Sequence, residues 1–361
     1  MFSISGPSTA LAAILSFCCA GCSRLPPGTL LPAAVAETEG TSTVRLLVAT
    51  SRIRSATDDG SMFGTERADQ ASHASIGVSI PPDAARKIGQ VQWPTSLPGD
   101  PRQSFVTVSA DHLDKRSFTA ALSAAAKGRA RGKVLLFVHG FNNRFDEAVY
   151  RFAQIVHDSG APAVPVLFSW PSRGAVSLRA YRDDLESATA SRDVVDDLLE
   201  SIAQSPNVKE VTVLCHSMGC SLTLQVLWSR ASRIGKVGAK IKNVLLVAPD
   251  IDVDVFRKKM HEMQARPRFA LFLSQDDGAL KLSKSIWGGV TRLGDVDPDQ
   301  EPYRSDFRRQ GILVFDLTHL RGDAHSRAFD DVTSVMGMIE ARLAAGQEMT
   351  EARSVSNPSS E

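Results

Sequence analysis

The chain is short of charge imbalance. Its 361 residues carry 41 basic and 40 acidic side chains, a formal +1, so no global field draws it to nucleic acid or to acidic surfaces. One dense basic run, "KGRARGK" from Lys127 to Lys133, has no interleaved aromatics and leads straight into an apolar stretch, which makes it a solvated loop. Cysteine is scarce as well. Cys18, Cys19 and Cys22 cluster near the start, which leaves Cys215 and Cys220 for the body of the protein. These two flank Ser217 across an expected strand-to-helix turn that sends their side chains in different directions, so they are read as small buried hydrophobes and not as a disulfide. No Cys/His spacing suits zinc and no HExxH is present, so neither a metal nor another cofactor is expected.

A long apolar run is also missing. The stretch "ALAAILSF" has the length of a signal-peptide core and falls well short of the roughly 20 residues that a membrane-spanning helix needs. After it comes "CCAGC", where Ala20 and Gly21 before Cys22 resemble a bacterial lipobox; Cys19 stands where Leu is usual, and no Lys or Arg precedes the apolar core. The expectation is a signal peptide over residues 1–22, lipidation at Cys22 and a periplasm-facing place in the bacterial cell envelope, with an ordinary cleaved signal and a secreted or periplasmic protein as the alternative. The membrane is then met only through the anchor at Cys22. Residues 23–40 read as a flexible tether, residues 41–345 as one globular domain and residues 346–361 as a disordered tail.

What the sequence does contain is alternation. Apolar runs of strand length begin at Val44, Ala74, Ser104, Lys133, Ala163, Val211, Lys242, Arg268 and Gly311, often apolar at consecutive positions as in central parallel strands. Helical patterns run from Asp146 to Asp158, Asp183 to Ala203, Gly219 to Ser232 and from about Ser326 to Ala345. The fold class is therefore α/β, a mostly parallel central sheet with helices on both faces. In such sheets ligands bind at the carboxyl ends of the strands, and polar residues directly after strands are where chemistry belongs.

Those strand ends read, in order, "FVHGFNN", "FSWPSRG", "CHSMGC", "APDID", "LSQDDGAL" and "THLRGDAHS". A serine, then an acid, then a histidine is the chain order of α/β-hydrolases. Ser217 lies where an apolar strand becomes a helix within a residue or two, a turn that needs small neighbours two before and two after; Gly219 and Cys215 meet that demand. A serine at pH 7 needs a base. His325, after the last strand and a flexible "RGD", is preferred, with His319 as the alternative. The acid that fixes the imidazole is placed at Asp277, with Asp276 and Asp250 as alternatives. Backbone N–H groups of Phe141 and Met218 are the candidate oxyanion donors. Trp170 and Trp287 are candidate walls of an acyl pocket, or packing under loops.

The pieces "LLVATSR", "SIGVSIP", "FVHGFNN", "FSWPSRG" with "AYRDD", "CHSMGC", "APDIDVDVF", "LSQDDGAL" and "DAHS" run in that order from about Val44 to about Ala345. In this combination the chain resembles a bacterial α/β-hydrolase family known as domain of unknown function number nine hundred. That family usually has Ala where Cys215 stands. The resemblance implies an α/β-hydrolase fold, with the acid at Asp277 and the histidine at His325, and implies little about substrate. The function expected is a serine hydrolase, of esterase or lipase type, that forms an acyl-enzyme on Ser217 with a small-molecule or lipid ester. The competing readings are a non-catalytic envelope lipoprotein that keeps the fold as a binding module, and an acyltransferase with the same triad.

Overall fold

A computed structural model of the chain describes residues 28–34, 38–57, 59–263, 265–320 and 322–330. The N-terminal apolar segment, Cys22, the tail and most of the helix expected from Ser326 to Ala345 lie outside the described residues. Among those described, no helix is long and apolar enough to cross a membrane.

Among the described residues nine strands form one sheet: β1 (Ser42–Arg54), β2 (Phe63–Ile80), β3 (Val106–Leu113), β4 (Lys133–Val138), β5 (Val164–Ser169), β6 (Glu210–His216), β7 (Ile241–Val247), β8 (Arg268–Leu273) and β9 (Leu313–Asp316). They are ordered β3-β2-β1-β5-β4-β6-β7-β8-β9. The first three pair antiparallel, and every pair from β1 and β5 onward is parallel. All nine expected runs are strands. The central ones are apolar at consecutive positions because both faces are covered: in β4, Val134, Leu136 and Val138 enter one core and Phe137 the other.

The first core lies under α1 (Lys115–Lys127), α3 (Leu178–Ala190), α4 (Arg192–Gln204), α5 (Met218–Ile234) and α6 (Val253–Glu262). The second lies under α2 (Phe145–Ser159), where Phe152 stacks on Phe137. The shorter α7 (Gly278–Ile286) follows β8, α8 (Tyr303–Arg309) leads into β9, and α9 (Arg327–Asp330) is described as far as Asp330.

Two expectations change. The single helix from Asp183 to Ala203 is two helices, because the Ser191 hydroxyl bonds back to the Ser187 carbonyl at 2.7 Å and to Ser51 at 2.8 Å, which ends the first at Ser191. Within the expected tether, residues 28–34 are docked: Leu30 is 1% exposed, and the Thr29 carbonyl accepts from Thr107 and Tyr150. Burial of Leu30 and the hydrogen bonds at Thr29 act together against the chain entropy that a free linker would keep.

Candidate active site

Ser217 joins β6 to α5 with φ +49° and ψ −121°, a backbone conformation that costs about 1–3 kcal/mol for a residue with a side chain. The surroundings hold it there. Its N–H donates to Val247, and its carbonyl accepts from Cys220 and Asp250. A Cβ at Gly219 would collide with the His139 carbonyl, and one at Gly140 would stand 2.8 Å from His216 Nδ1 and 3.0 Å from the Ser217 Cβ, so both close approaches need glycine.

The structure corrects the reading of the two cysteines: Cys215 and Cys220 form a disulfide across this turn, with Cα atoms 4.9 Å apart. The elbow folds the first turn of α5 back against the last strand residues, which brings together side chains that a simple strand-then-helix picture sends apart. Both cysteines are fully buried.

Asp277 caps α7, and its Oδ1 accepts from the N–H groups of Ala279 and Leu280. Its other oxygen lies 2.7 Å from His325 Nδ1. Burial opposes the ionised carboxylate, but the charge and hydrogen bond of His325 outweigh it and hold the pKa of Asp277 below the ordinary value. Burial likewise opposes the imidazolium of His325, and Asp277 with Asp250 and Asp323 outweighs that too, so its pKa is raised. His325 lies over the residue before Ser217: its carbonyl is 3.0 Å from His216 Nε2 and the two rings are 4.7 Å apart. Among the described residues the Ser217 hydroxyl makes no hydrogen bond, and the N–H groups of Phe141 and Met218 donate to no other group.

The alternatives are placed elsewhere. Asp276 is paired with Arg327 at 2.8 Å, which with Ser274 holds its pKa down at about 2. Asp250 is buried in a cluster with Arg292, Ser283 and Tyr181, at 2.7, 2.7 and 2.9 Å. His319 is exposed in the turn after β9. Trp170 is no pocket wall: it is fully buried, stacks on His139 and donates to the His139 carbonyl. Trp287 is 42% exposed and donates to the Tyr181 hydroxyl at 3.0 Å.

Sequence reasoning gave no role to the residues beneath the loop Gly140–Asn143. Arg52 reaches from β1 to the Asn143 carbonyl at 2.9 Å, and Asp184 accepts from Ser172, which in turn accepts from the Asn143 N–H. A charged residue closing the apolar run "LLVATSR" was the available signal. Among the described residues, no group of three His, Cys, Asp or Glu is arranged to hold a metal ion.

A family model described as an alpha/beta hydrolase of unknown function (domain of unknown function 900) matches residues 114–342. Three solved structures match at low similarity. They are a carboxylesterase from Bacillus subtilis (8% identity, 77% of this chain and 89% of that one, TM-score 0.36), a fungal esterase from Rhizomucor miehei (12%, 84% and 85%, TM-score 0.34) and an esterase from Pyrobaculum calidifontis (12%, 60% and 77%, TM-score 0.33). At these scores the likenesses carry no argument. No curated protein matches the sequence.

Proposed function

From the premise that the chain belongs to the family of alpha/beta hydrolases of unknown function, we propose that it hydrolyses carboxylic esters through an acyl-enzyme on Ser217, with His325 as base and Asp277 as the acid that orients it. The observation that carries the reading is the 2.7 Å contact between His325 and Asp277 beside a serine held at φ +49°. In the first half-reaction Ser217 Oγ attacks the acyl carbon and its proton passes to His325 Nε2. The oxyanion is met by the N–H groups of Phe141 and Met218; the alcohol leaves as His325 returns the proton to it. Water then attacks the acyl-enzyme, gives a proton to His325, and the acid departs as Ser217 regains its own. Asp277 stays ionised and favours the imidazolium that forms twice in each cycle.

Esters are preferred to amides because an alcohol leaves with less help from a proton donor. A location in the cell envelope, with Cys22 lipidated, rests on the N-terminal residues alone. A Cys22→Ala protein is expected to leave the membrane fraction, and one that stays wholly membrane-bound would remove the anchor.

The test of activity is fluorophosphonate labelling of the protein from Ser23 onward beside Ser217→Ala, with nitrophenyl esters of increasing chain length given to both. Labelling and turnover that vanish in the variant establish the activated serine. A folded protein with neither signal returns the weight to a binding module, and an acyl product on an acceptor other than water makes it a transferase.

A further inference from the structure

Beneath the Gly140–Phe141 peptide lies a chain of polar groups that links it to a buried cation. Arg52 is 1% exposed and has no carboxylate in salt-bridge contact among the described residues. Burial lowers its pKa to about 10, which leaves it charged at neutral pH. Its Nε–H donates to Ser169 Oγ at 3.0 Å, and its Nη groups reach the carbonyls of Gly64, Ser172 and Asn143. Ser169 Oγ lies 3.0 Å from His139 Nε2, and His139 Nδ1 lies 2.9 Å from the Gly140 carbonyl.

Only one set of protons satisfies these contacts. A carbonyl can only accept, so His139 Nδ1 carries a hydrogen. Burial and the nearby Arg52 keep the ring neutral, with a pKa of about 3, so Nε2 is an acceptor. The Ser169 hydroxyl donates to it, and its oxygen is then free to accept from Arg52. Moving the ring proton to Nε2 would leave the bare Nδ1 lone pair facing the Gly140 carbonyl, a buried acceptor against an acceptor.

We propose that Arg52, Ser169 and His139 are positioning residues for the oxyanion site: the relay fixes the Nδ1–H tautomer of His139, which holds the Gly140 carbonyl and so aims the N–H on the other side of that trans peptide, the one of Phe141, toward Ser217. The peptide is close enough for this, because a Cβ on Gly140 would be 3.0 Å from the Ser217 Cβ, and the Phe141 N–H has no other acceptor among the described residues. A hydrogen bond to the carbonyl also polarises the amide and makes its N–H a stronger donor. The inference rests on the proposed ester hydrolysis for its catalytic meaning, and on the geometry alone for the tautomer.

The two are measured separately. Histidine nitrogen NMR on the protein labelled with ¹⁵N at histidine, assigned by His139→Asn, is expected to show His139 neutral from pH 8 down to pH 5 with its proton on Nδ1, and to show a change of tautomer or protonation in Ser169→Ala. A proton on Nε2 in the wild type overturns the relay whatever the enzyme does. On a nitrophenyl ester, His139→Ala is expected to lose about 10²-fold in kcat, the scale of one oxyanion donor, with KM within roughly threefold. His139→Asn keeps an amide N–H near the Nδ1 position and is expected to recover at least ~10-fold of that loss, since one aimed donor is worth that much. Equal activity in the Asn and Ala variants, or a loss entirely in KM, overturns the positioning role. Arg52→Met removes the cation at the far end of the relay and is expected to lower kcat in the same direction; if it does not fold, Ser169→Ala carries that test. A wild type without serine-dependent turnover defeats the proposed function and leaves the tautomer result standing.

Discussion

Asp276 and Asp277 are neighbours with the same chemistry in opposite surroundings. Asp276 faces Arg327 with nearly half its side chain in water, whereas Asp277 is fully buried between the N-terminus of α7 and His325. Asp277→Asn is therefore expected to cut kcat by about 10³–10⁴-fold, by analogy with loss of the orienting carboxylate in serine proteases, while Asp276→Asn stays within a few-fold. Parallel kinetics on the two variants decide it; similar losses would mean that the acid has been assigned to the wrong residue. The pH profile follows from the same contact. His325 acts as a base only when neutral, and Asp277 raises its pKa, so kcat/KM should rise with pH through an apparent pKa above the ordinary histidine value, about 6.5. Removing the carboxylate should move that limb to lower pH. The preference for Asp277 was legible in the sequence only through motif order, because "SQDDGAL" by itself does not say which carboxylate turns inward; the N-cap on Ala279 and Leu280 is what selects it.

At the scale of elements, the turn from β6 into α5 was the most legible feature, since an apolar strand and an apolar helix meeting at Ser217 leave no room for a loop. The contacts that make it work were not. The collision that keeps Gly219 a glycine comes from the His139 carbonyl, 80 residues earlier in the chain, and the pairing of Cys215 with Cys220 depends on how tightly the elbow closes. The helices α1, α6 and α7 were not legible because each is capped by an aspartate that also reads as a loop residue. The disulfide closes a loop with a sequence separation of 5, so chain entropy gives it only about 2 kcal/mol. Replacing both cysteines with alanine is expected to lower Tm by roughly 4 °C for a domain of this order of size. Activity should survive, because the backbone bonds of Ser217 to Val247, Cys220 and Asp250 still hold the turn. With both sulfurs buried, the native protein should yield no free thiols from this pair to mild reductant until denaturant is added. Ready reduction in the folded state would mean that the elbow opens.

Across the whole molecule, the sheet brings several histidines together at one edge, and they respond to pH with opposite signs. His139 and His216 are kept neutral, each with a pKa of about 3: burial and Arg52 act on the first, withdrawal from water and His325 on the second. In the unfolded chain each titrates near 6.5. Between those values the unfolded state holds more protons than the native one, so stability falls as pH drops from about 6.5 toward 3. The slope approaches two protons, at most about 2.7 kcal/mol per pH unit. His325 works the other way: its pKa is raised on folding, so its contribution is complete below about 6.5 and is lost as pH rises through the raised value. Carboxylates add their own acid dependence, and one variant separates the terms. His216→Gln retains a donor that can reach the His325 carbonyl, the partner of His216 Nε2, but cannot bind a proton. Urea unfolding at pH 7, 5.5 and 4 is expected to give that variant a slope shallower by about one proton, roughly 1.4 kcal/mol per pH unit. An unchanged slope would mean that His216 protonates as readily in the native state as in the unfolded chain, and that the pair of rings of His216 and His325 is open to water.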